Sequence, residues 1–480
     1  MKFRPLIVDL DGSLLRSDIL YELILLLIKK KPYALFLIIL WLLKDEKANV
    51  KKKLNRYFKL DLTSLPYNIK IINYLKKKKK IGHKLILCTA TYISIAKSIN
   101  SHLKLFDEVY GTRGNKNLSG KNKANLLVNK FGEKKFDYIG NSKNDLEVWN
   151  KARDGIIVNA SRKLIDKAKK ITNIKRIFIS KKINFSDWNK LFRFHQWSKN
   201  LLLFLPLIFV FKDFKKDIID DLLFAFVSFS FCASSVYIIN DLFDLEKDRK
   251  HPWKCFRPFA CGLVPIWVGF LLAPSLFFIS LIIAKLVSYE FLILLLTYFI
   301  LSYLYSSILK NIIIIDSLIL AFFYFIRIFA GFLVTNVKLS EWLLFFSFFL
   351  FLSLGFLKRF ADLKIKSKNN LKKLNNQYSI SPSTALNYLS VIRIIGIFAG
   401  FFSILILAYY INAQILLSFY TLPSITWASL IIFILFMARI WLQANKGCIQ
   451  IDPVIFVLKD IVSLLLAFLF ILIFIIAQIF

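Results

Sequence analysis

Asn240, Asp241, Asp244 and Asp248 stand at i, i+1, i+4 and i+8 in the stretch YIINDLFDLEKDRKHPWKCFRP, Tyr237 to Pro258. At about 100° per residue on a helix they fall at roughly 0°, 100°, 40° and 80°, so an amide and three carboxylates share one arc. Carboxylates this close repel one another unless a cation joins them. Hard oxygen ligands suit Mg²⁺, which commonly bridges to substrate phosphates. All four are candidate metal ligands, with Asp241 and Asp244 as candidate catalytic residues. Arg249, Lys254 and Arg257 follow, and their side chains are suited to phosphate oxygens. The chemistry this points to is the departure of a metal-bound diphosphate.

Such a cluster needs a rigid support, and the neighbouring sequence supplies one. The run LLFAFVSFSFCASSV, Leu222 to Val236, is uncharged and feeds directly into the acids. Ionisable residues stacked at the end of an apolar span are costly and usually functional. The 480-residue chain is 57% hydrophobic, with a mean hydropathy of +0.58, too apolar for an ordinary soluble protein. Nine apolar runs are candidate membrane helices: 200–211, 222–239, 263–284, 286–309, 312–334, 342–357, 387–411, 424–443 and 454–480. Several are long enough to cross about 30 Å of hydrocarbon. The first is short and contains Pro206. The connections after the second and sixth runs are rich in Lys and Arg, whereas 412–423 carries no base. This bias predicts an inner-membrane protein with its N-terminus and both polar loops in the cytoplasm.

At these residues the chain resembles the UbiA superfamily of intramembrane prenyltransferases. NDxxDxxxD, matched by Asn240, Asp241, Asp244 and Asp248, is that family's first Asp-rich motif. The resemblance implies nine transmembrane helices around a lipid-open cavity in which Mg²⁺ holds a donor diphosphate. The extension DRxHPxKxxRPxAxG, matched from Asp248 to Gly262, is similar to the decaprenyl-phosphate phosphoribosyltransferase branch. So are Gln196, Trp197, Lys199 and Asn200 upstream, and Tyr305, Ser306, Lys310, Asp316, Arg327 and Gly331 downstream. The likeness covers about 190–480.

The second polar loop, GFLKRFADLKIKSKNN, separates two transfers that the first motif leaves open. Aromatic prenyltransferases of the superfamily carry a second Asp-rich motif there. Here Asp362 stands alone, flanked by Lys358 and Arg359, with Lys358 and Asp362 on one helix face. Two bases and one acid suit phosphate oxygens. The expected reaction is transfer of phosphoribose from its diphosphate to a polyprenyl phosphate, with Arg257, Lys358 and Arg359 on phosphates and Lys199, Lys310 and Arg327 as further candidates. A phosphate nucleophile is already ionised and needs no strong base. The alternative is transfer of a prenyl group to an aromatic acceptor. A non-enzyme alternative is a membrane transporter.

Residues 1–185 read differently. PLIVDLDGSLLRSD is a short apolar run ending in Asp9 and Asp11, which point to one side of a strand. KLILCTAT, 84–91, carries Thr89 at the end of its apolar part, and KFDYIGNSKND ends near Asn141 and Asp145. In an open α/β sheet such strand ends meet at the ligand crevice. The ordered set resembles the haloacid dehalogenase (HAD) phosphatase superfamily, with Lys123 as the basic residue and Lys121 as its alternative. The resemblance implies that Asp9 attacks phosphorus, that Asp11 protonates the leaving group, and that Mg²⁺ sits on Asp9, Asp11, Asn141 and Asp145. Asn141 replaces an Asp of many relatives. Residues 14–80 hold a helical cap, either lying on the membrane or buried as core. The expected architecture is therefore two-domain: a Rossmann-like α/β HAD domain with a helical cap, then an all-α polytopic bundle at 190–480.

Net charge is +37. Nucleic acid is not an expected partner, because the bases cluster beside apolar runs without a nucleic-acid module. No obligate protein partner is inferred. The expected partners are a membrane, a polyprenyl lipid and a diphosphate donor. Five cysteines form no CxxC pair and read as unpaired thiols. MKFRPLIVDLDG is too short and acidic in its apolar run for a signal peptide.

Overall fold

A computed structural model describes residues 3–31, 33–34, 50, 53–54, 60–114, 117–179, 183–209, 216–307, 309, 312–336, 341–369, 382–412, 422–449 and 453–479. It divides into two compact units, Met1–Phe192 with Tyr237–Ala273, and Arg193–Val236 with Pro274–Phe480. The sequence puts the boundary near 185–190. The first unit also takes in the Asp-rich segment, for reasons given below.

The first unit is built on a parallel sheet of β1 (Leu6–Val8), β2 (Leu85–Tyr92), β3 (Glu108–Thr112), β4 (Asp137–Gly140), β5 (Asp154–Val158) and β6 (Asn173–Phe178). Its order is β3-β2-β1-β4-β5-β6. β1 is hydrophobic at every position because helices cover both faces. Side chains alternate across the pleat. Leu6, Val8, Leu87 and Ile139 enter one core cluster. Ile7, Ile86, Cys88 and Tyr138 enter the other. The connecting helices are α1 (Ile19–Lys30), α2 (Ile69–Lys80), α3 (Ile93–Leu103), α4 (Gly120–Phe131), α5 (Leu146–Lys151), α6 (Arg162–Ile171) and α7 (Phe185–Phe192).

Asp18 caps α1, accepting from the Leu20 amide at 2.8 Å. Leu20, Leu23, Ile24 and Leu27 of α1 are buried with the sheet residues. This decides between the two readings of the cap for α1: its apolar face is core. The second apolar piece of the cap, 33–43, lies outside the described residues from 35 onward.

The second unit is helical. It begins with a 3₁₀ stretch, Phe194–Phe209, that contains Pro206. There follow α8 (Lys216–Phe243), whose last seven residues belong to the first unit, α9 (Leu245–Lys250), which lies wholly in the first unit, and α10 (Ile266–Val287), which starts there. Next come α11 (Tyr289–Ser307), α12 (Ile313–Thr335), α13 (Glu341–Asn369), α14 (Pro382–Asn412), α15 (Thr426–Lys446), α16 (Pro453–Lys459) and α17 (Ile461–Ile479). Among the described residues seven helices are long and apolar enough to cross a membrane. Large apolar side chains such as Ile282, Leu286, Phe398 and Ile431 are exposed on them, as lipid-facing helices require.

Among the described residues the expected count of nine is not confirmed. Phe194–Phe209 winds as a 3₁₀ stretch around Pro206, where no amide is available for an α ladder. The last run is divided at Asp460, which accepts from the Ser463 amide at 3.0 Å and from Arg439 Nε at 3.0 Å. Asp460 thus caps a new helix, and the apolar portion that follows, Ile461–Ala477, is shorter.

Close approach is required at Gly331 on α12. A Cβ added there would overlap the Leu203 carbonyl oxygen of the 3₁₀ stretch. Gly331→Ala should destabilise this packing by about 1–3 kcal/mol. The check is a lower melting temperature of the detergent-purified protein.

Candidate functional sites

In the strand order above, β1 lies between β2 and β4. In a parallel sheet whose order reverses at such a point, the carboxyl ends of the strands are where ligand crevices form. Asp9 follows β1, Thr89 and Thr91 lie in the last half of β2, and Asn141 follows β4. Gly12 takes φ +77°, which permits the tight turn after Asp9. A side chain at position 12 would overlap the Asn141 amide.

Lys123, on α4, is buried and donates to Asp9 Oδ1 at 2.7 Å and to the Tyr138 hydroxyl at 3.0 Å. Lys121 is exposed, so Lys123 is the basic residue of this centre. Tyr138 donates to Asp145 Oδ1 at 2.6 Å. Asp145 Oδ2 accepts from the amides of Asn141 and Ser142 at 3.0 and 2.9 Å, and from the Ser142 hydroxyl at 2.8 Å. Asp11 accepts from the Thr91 hydroxyl at 2.7 Å and from the Ile19 amide, at the start of α1, at 3.0 Å. Thr89 Oγ1 accepts from the Thr91 amide at 3.0 Å. Burial drives the Asp9 carboxyl up to about 7, against the pull of the Lys123 ammonium. Burial opposes the charge on Lys123, but Asp9 and Asp145 hold it above the ordinary lysine range.

This arrangement revises one sequence assignment. Asp145 was expected on a metal; it instead closes the loop after β4 and steadies Lys123 through Tyr138. Sequence reading missed Thr91, Tyr138 and Ser142. Thr91 was signalled by its i+2 spacing from Thr89, which places both on one side of β2. With Asp145 fully hydrogen-bonded and Asn141 neutral, the front residues do not fit the expected four-ligand metal site.

The second centre lies at the end of α8 and in the loop after it. Arg257 Nη1 donates to Asp241 Oδ1 at 3.0 Å and to Asp248 Oδ2 at 2.6 Å. Both acids are buried. One guanidinium thus stands where the sequence called for a cation. Among the described residues no three acids, histidines or cysteines are grouped closely enough to hold a metal by themselves. Asp244 is half-buried and Asn240 lies one residue before Asp241. Asn240 Oδ1 is buried without a hydrogen-bond partner, an oxygen still available for a cation. Two acids converging on one positive charge, and an unpartnered amide oxygen one residue before the first of them, are the donor types that Mg²⁺ takes.

Arg249 is the main correction. Expected on phosphate, it forms a bidentate pair with Glu22, Nη2 to Oε1 at 2.7 Å and Nη1 to Oε2 at 3.2 Å. Lys254 is half-buried in a turn where its amide and that of Trp253 donate to His251 Nδ1. His251 thus shapes this loop. The clue to Glu22 was a lone acid in the apolar run LYELILLLI, since a buried acid needs a partner.

In the second unit, Arg359 lies 3.3 Å from Asp316, which also accepts from the Tyr305 hydroxyl at 2.6 Å. Lys358 and Asp362 are half-buried on the same helix. Arg327 donates to Asn200 Oδ1 at 2.8 Å and to the Tyr298 hydroxyl at 3.1 Å. Lys199 lies over the Tyr324 ring. Lys310 lies outside the described residues.

Residues 203–446 match the UbiA prenyltransferase family. Protein y4nM of Sinorhizobium fredii, described as uncharacterized, is 29% identical over 464 residues, covering 95% of this chain and 87% of that one. Decaprenyl-phosphate phosphoribosyltransferase of Mycolicibacterium smegmatis is 37% identical over 187 residues. That match covers 38% of this chain and 59% of the mycobacterial protein. A substrate-bound phosphoserine phosphatase structure aligns at 13% identity and a TM-score of 0.27, covering 38% of this chain and 94% of that one.

Arg257→Ala removes the guanidinium from two buried acids, which should cost the metal-free protein about 1–3 kcal/mol. Excess MgCl₂ should then raise the melting temperature of the variant more than that of the wild type, as read by thermal unfolding in detergent.

Proposed function

The chain belongs to the UbiA prenyltransferase family of multi-pass membrane enzymes, and from that premise we propose that it transfers phosphoribose from phosphoribosyl diphosphate to a polyprenyl phosphate. The carrying observation is the second polar loop. It offers Lys358, Arg359 and a lone Asp362 in place of a second acidic cluster, and its Arg359 is held beside Asp316. The mycobacterial phosphoribosyltransferase likeness supports the same choice.

An ionised phosphate oxygen of the lipid attacks the anomeric carbon, the new C–O bond forms, and the bond to diphosphate breaks. Asn240, Asp241 and Asp248, with Asp244 beside them, would hold Mg²⁺, which when bound offsets the charge of the departing diphosphate. Arg257 keeps Asp241 and Asp248 together and carries positive charge at the donor site. Lys254 and Lys358 supply further charge for phosphate oxygens. We read this site and the N-terminal domain as cytoplasmic, a reading that the excess of Lys and Arg in the two polar loops supports.

The front centre supports a second step. Lys123 holds the Asp9 carboxylate in place, and Asp11 is anchored through both oxygens beside it. We read this as a HAD-type phosphatase centre. Asp9 attacks phosphorus, the ester P–O bond breaks, and a proton carried by Asp11 goes to the leaving oxygen; water then attacks the aspartyl phosphate, its proton returns to Asp11, the Asp9–phosphorus bond breaks, and phosphate leaves. Its substrate would be the 5′-phosphate of the lipid product.

Purified protein given both donors should transfer phosphoribose, and Asp241→Asn should lower kcat by about 10²–10³-fold. Prenylation of an aromatic acceptor with no phosphoribosyl transfer would overturn the reading. Asp9→Asn should make the phosphorylated lipid accumulate in membranes, as read by mass spectrometry. An unchanged product distribution would remove the second step.

A further inference from the structure

Glu22 and Arg249 are 227 residues apart in sequence and form a buried ion pair. Their side chains are 6% and 5% exposed. Each is further fixed. The Ser17 hydroxyl donates to Glu22 Oε1 at 2.5 Å. Arg249 Nε donates to the Ala260 carbonyl at 3.2 Å, which ties the start of the loop to its end. Neither charge faces bulk solvent, so each depends on the other.

Two further contacts flank the pair. Lys250 lies 2.5 Å from Asp61, and its ammonium holds the Asp61 carboxyl below the usual range. Gly262, at φ +68°, lies against Arg16, where an added Cβ would come within 2.6 Å of the Arg16 Cβ. Arg16 Nη1 also donates to the Cys261 carbonyl at 3.5 Å. Residues 249, 250, 261 and 262 are thus held by 16, 22 and 61. The acid adjacent to Arg249 is Asp248, which receives Arg257. None of the three front residues belongs to the Asp9 centre.

We propose that Glu22 is a positioning residue for phosphoribosyl transfer: through Arg249 it holds the 248–262 loop in the shape that brings Asp248 and Arg257 to the donor diphosphate. The front domain therefore serves transfer through a surface separate from its own hydrolytic centre. This rests on the reading of residues 240–257 as the segment that holds the donor.

Glu22→Ala strands a buried guanidinium and loosens the loop. Misplacement of this kind should lower kcat/KM for phosphoribosyl diphosphate by about tenfold or more, mainly through a raised KM. The loop carries its own reporters, because Cys255 and Cys261 are partly exposed while Cys88 is buried in β2. Alkylation followed by peptide mass spectrometry should show faster labelling of Cys255 and Cys261 in Glu22→Ala, with Cys88 still protected. Glu22→Asp, which keeps the charge, should recover part of the KM. Asp61→Asn, at a more exposed pair, should have a smaller effect.

Unchanged KM and unchanged labelling in Glu22→Ala would overturn the proposal. So would loop labelling that rises only together with Cys88, in Glu22→Ala and in Glu22→Gln alike, since that marks general unfolding. Should the wild type fail to transfer phosphoribose, the functional reading falls. The proposal then falls with it in its catalytic part, while the labelling result separately decides whether Glu22 orders the loop.

Discussion

Buried carboxylates cannot stand alone, and that constraint organises both centres. Asp241 and Asp248 meet at the Arg257 guanidinium. Asp9 meets the Lys123 ammonium. Removing such charges from water costs several kcal/mol per ion, offset only by close, well-oriented partners. Each centre is therefore a set of acids held ready by a basic residue of the same chain. The arrangement keeps negative oxygens where a cation or a phosphoryl group would need them, without letting them repel one another apart.

The same rule explains why the compact units do not follow a simple cut of the chain. The segment Tyr237–Ala273 groups with the front residues. Its charges are answered there, Arg249 by Glu22 and Lys250 by Asp61. An apolar helix can sit in lipid on composition alone. A loop carrying four acids and five bases needs specific partners, and a folded α/β domain can supply them at fixed positions.

Much of the front centre was legible in advance. Asp9, Thr89 and Asn141 each end an apolar run, and in a parallel sheet such ends converge wherever the connections separate. The Asp-rich helix face was legible from spacing alone. What resisted reading was the choice of partner. Arg249 sits among residues that look made for phosphate, and its acid lies 227 positions away. Asp145 ends a motif that suggests a metal ligand, yet its oxygens are taken by Tyr138, Ser142 and the backbone of the loop it closes. Among the described residues two of the nine runs are not single long helices, for local reasons: hydropathy registers neither the amide missing at Pro206 nor the helix start made by Asp460.

The Glu22–Arg249 pair also bears on biosynthesis. Glu22 leaves the ribosome early, on a helix whose other buried residues are apolar. Its counter-charge is made only after the whole of α8 has been translated. Until then Glu22 lacks its ionic partner, so the front unit, which draws part of its own structure from residues after α8, closes this contact only once residue 249 has been made.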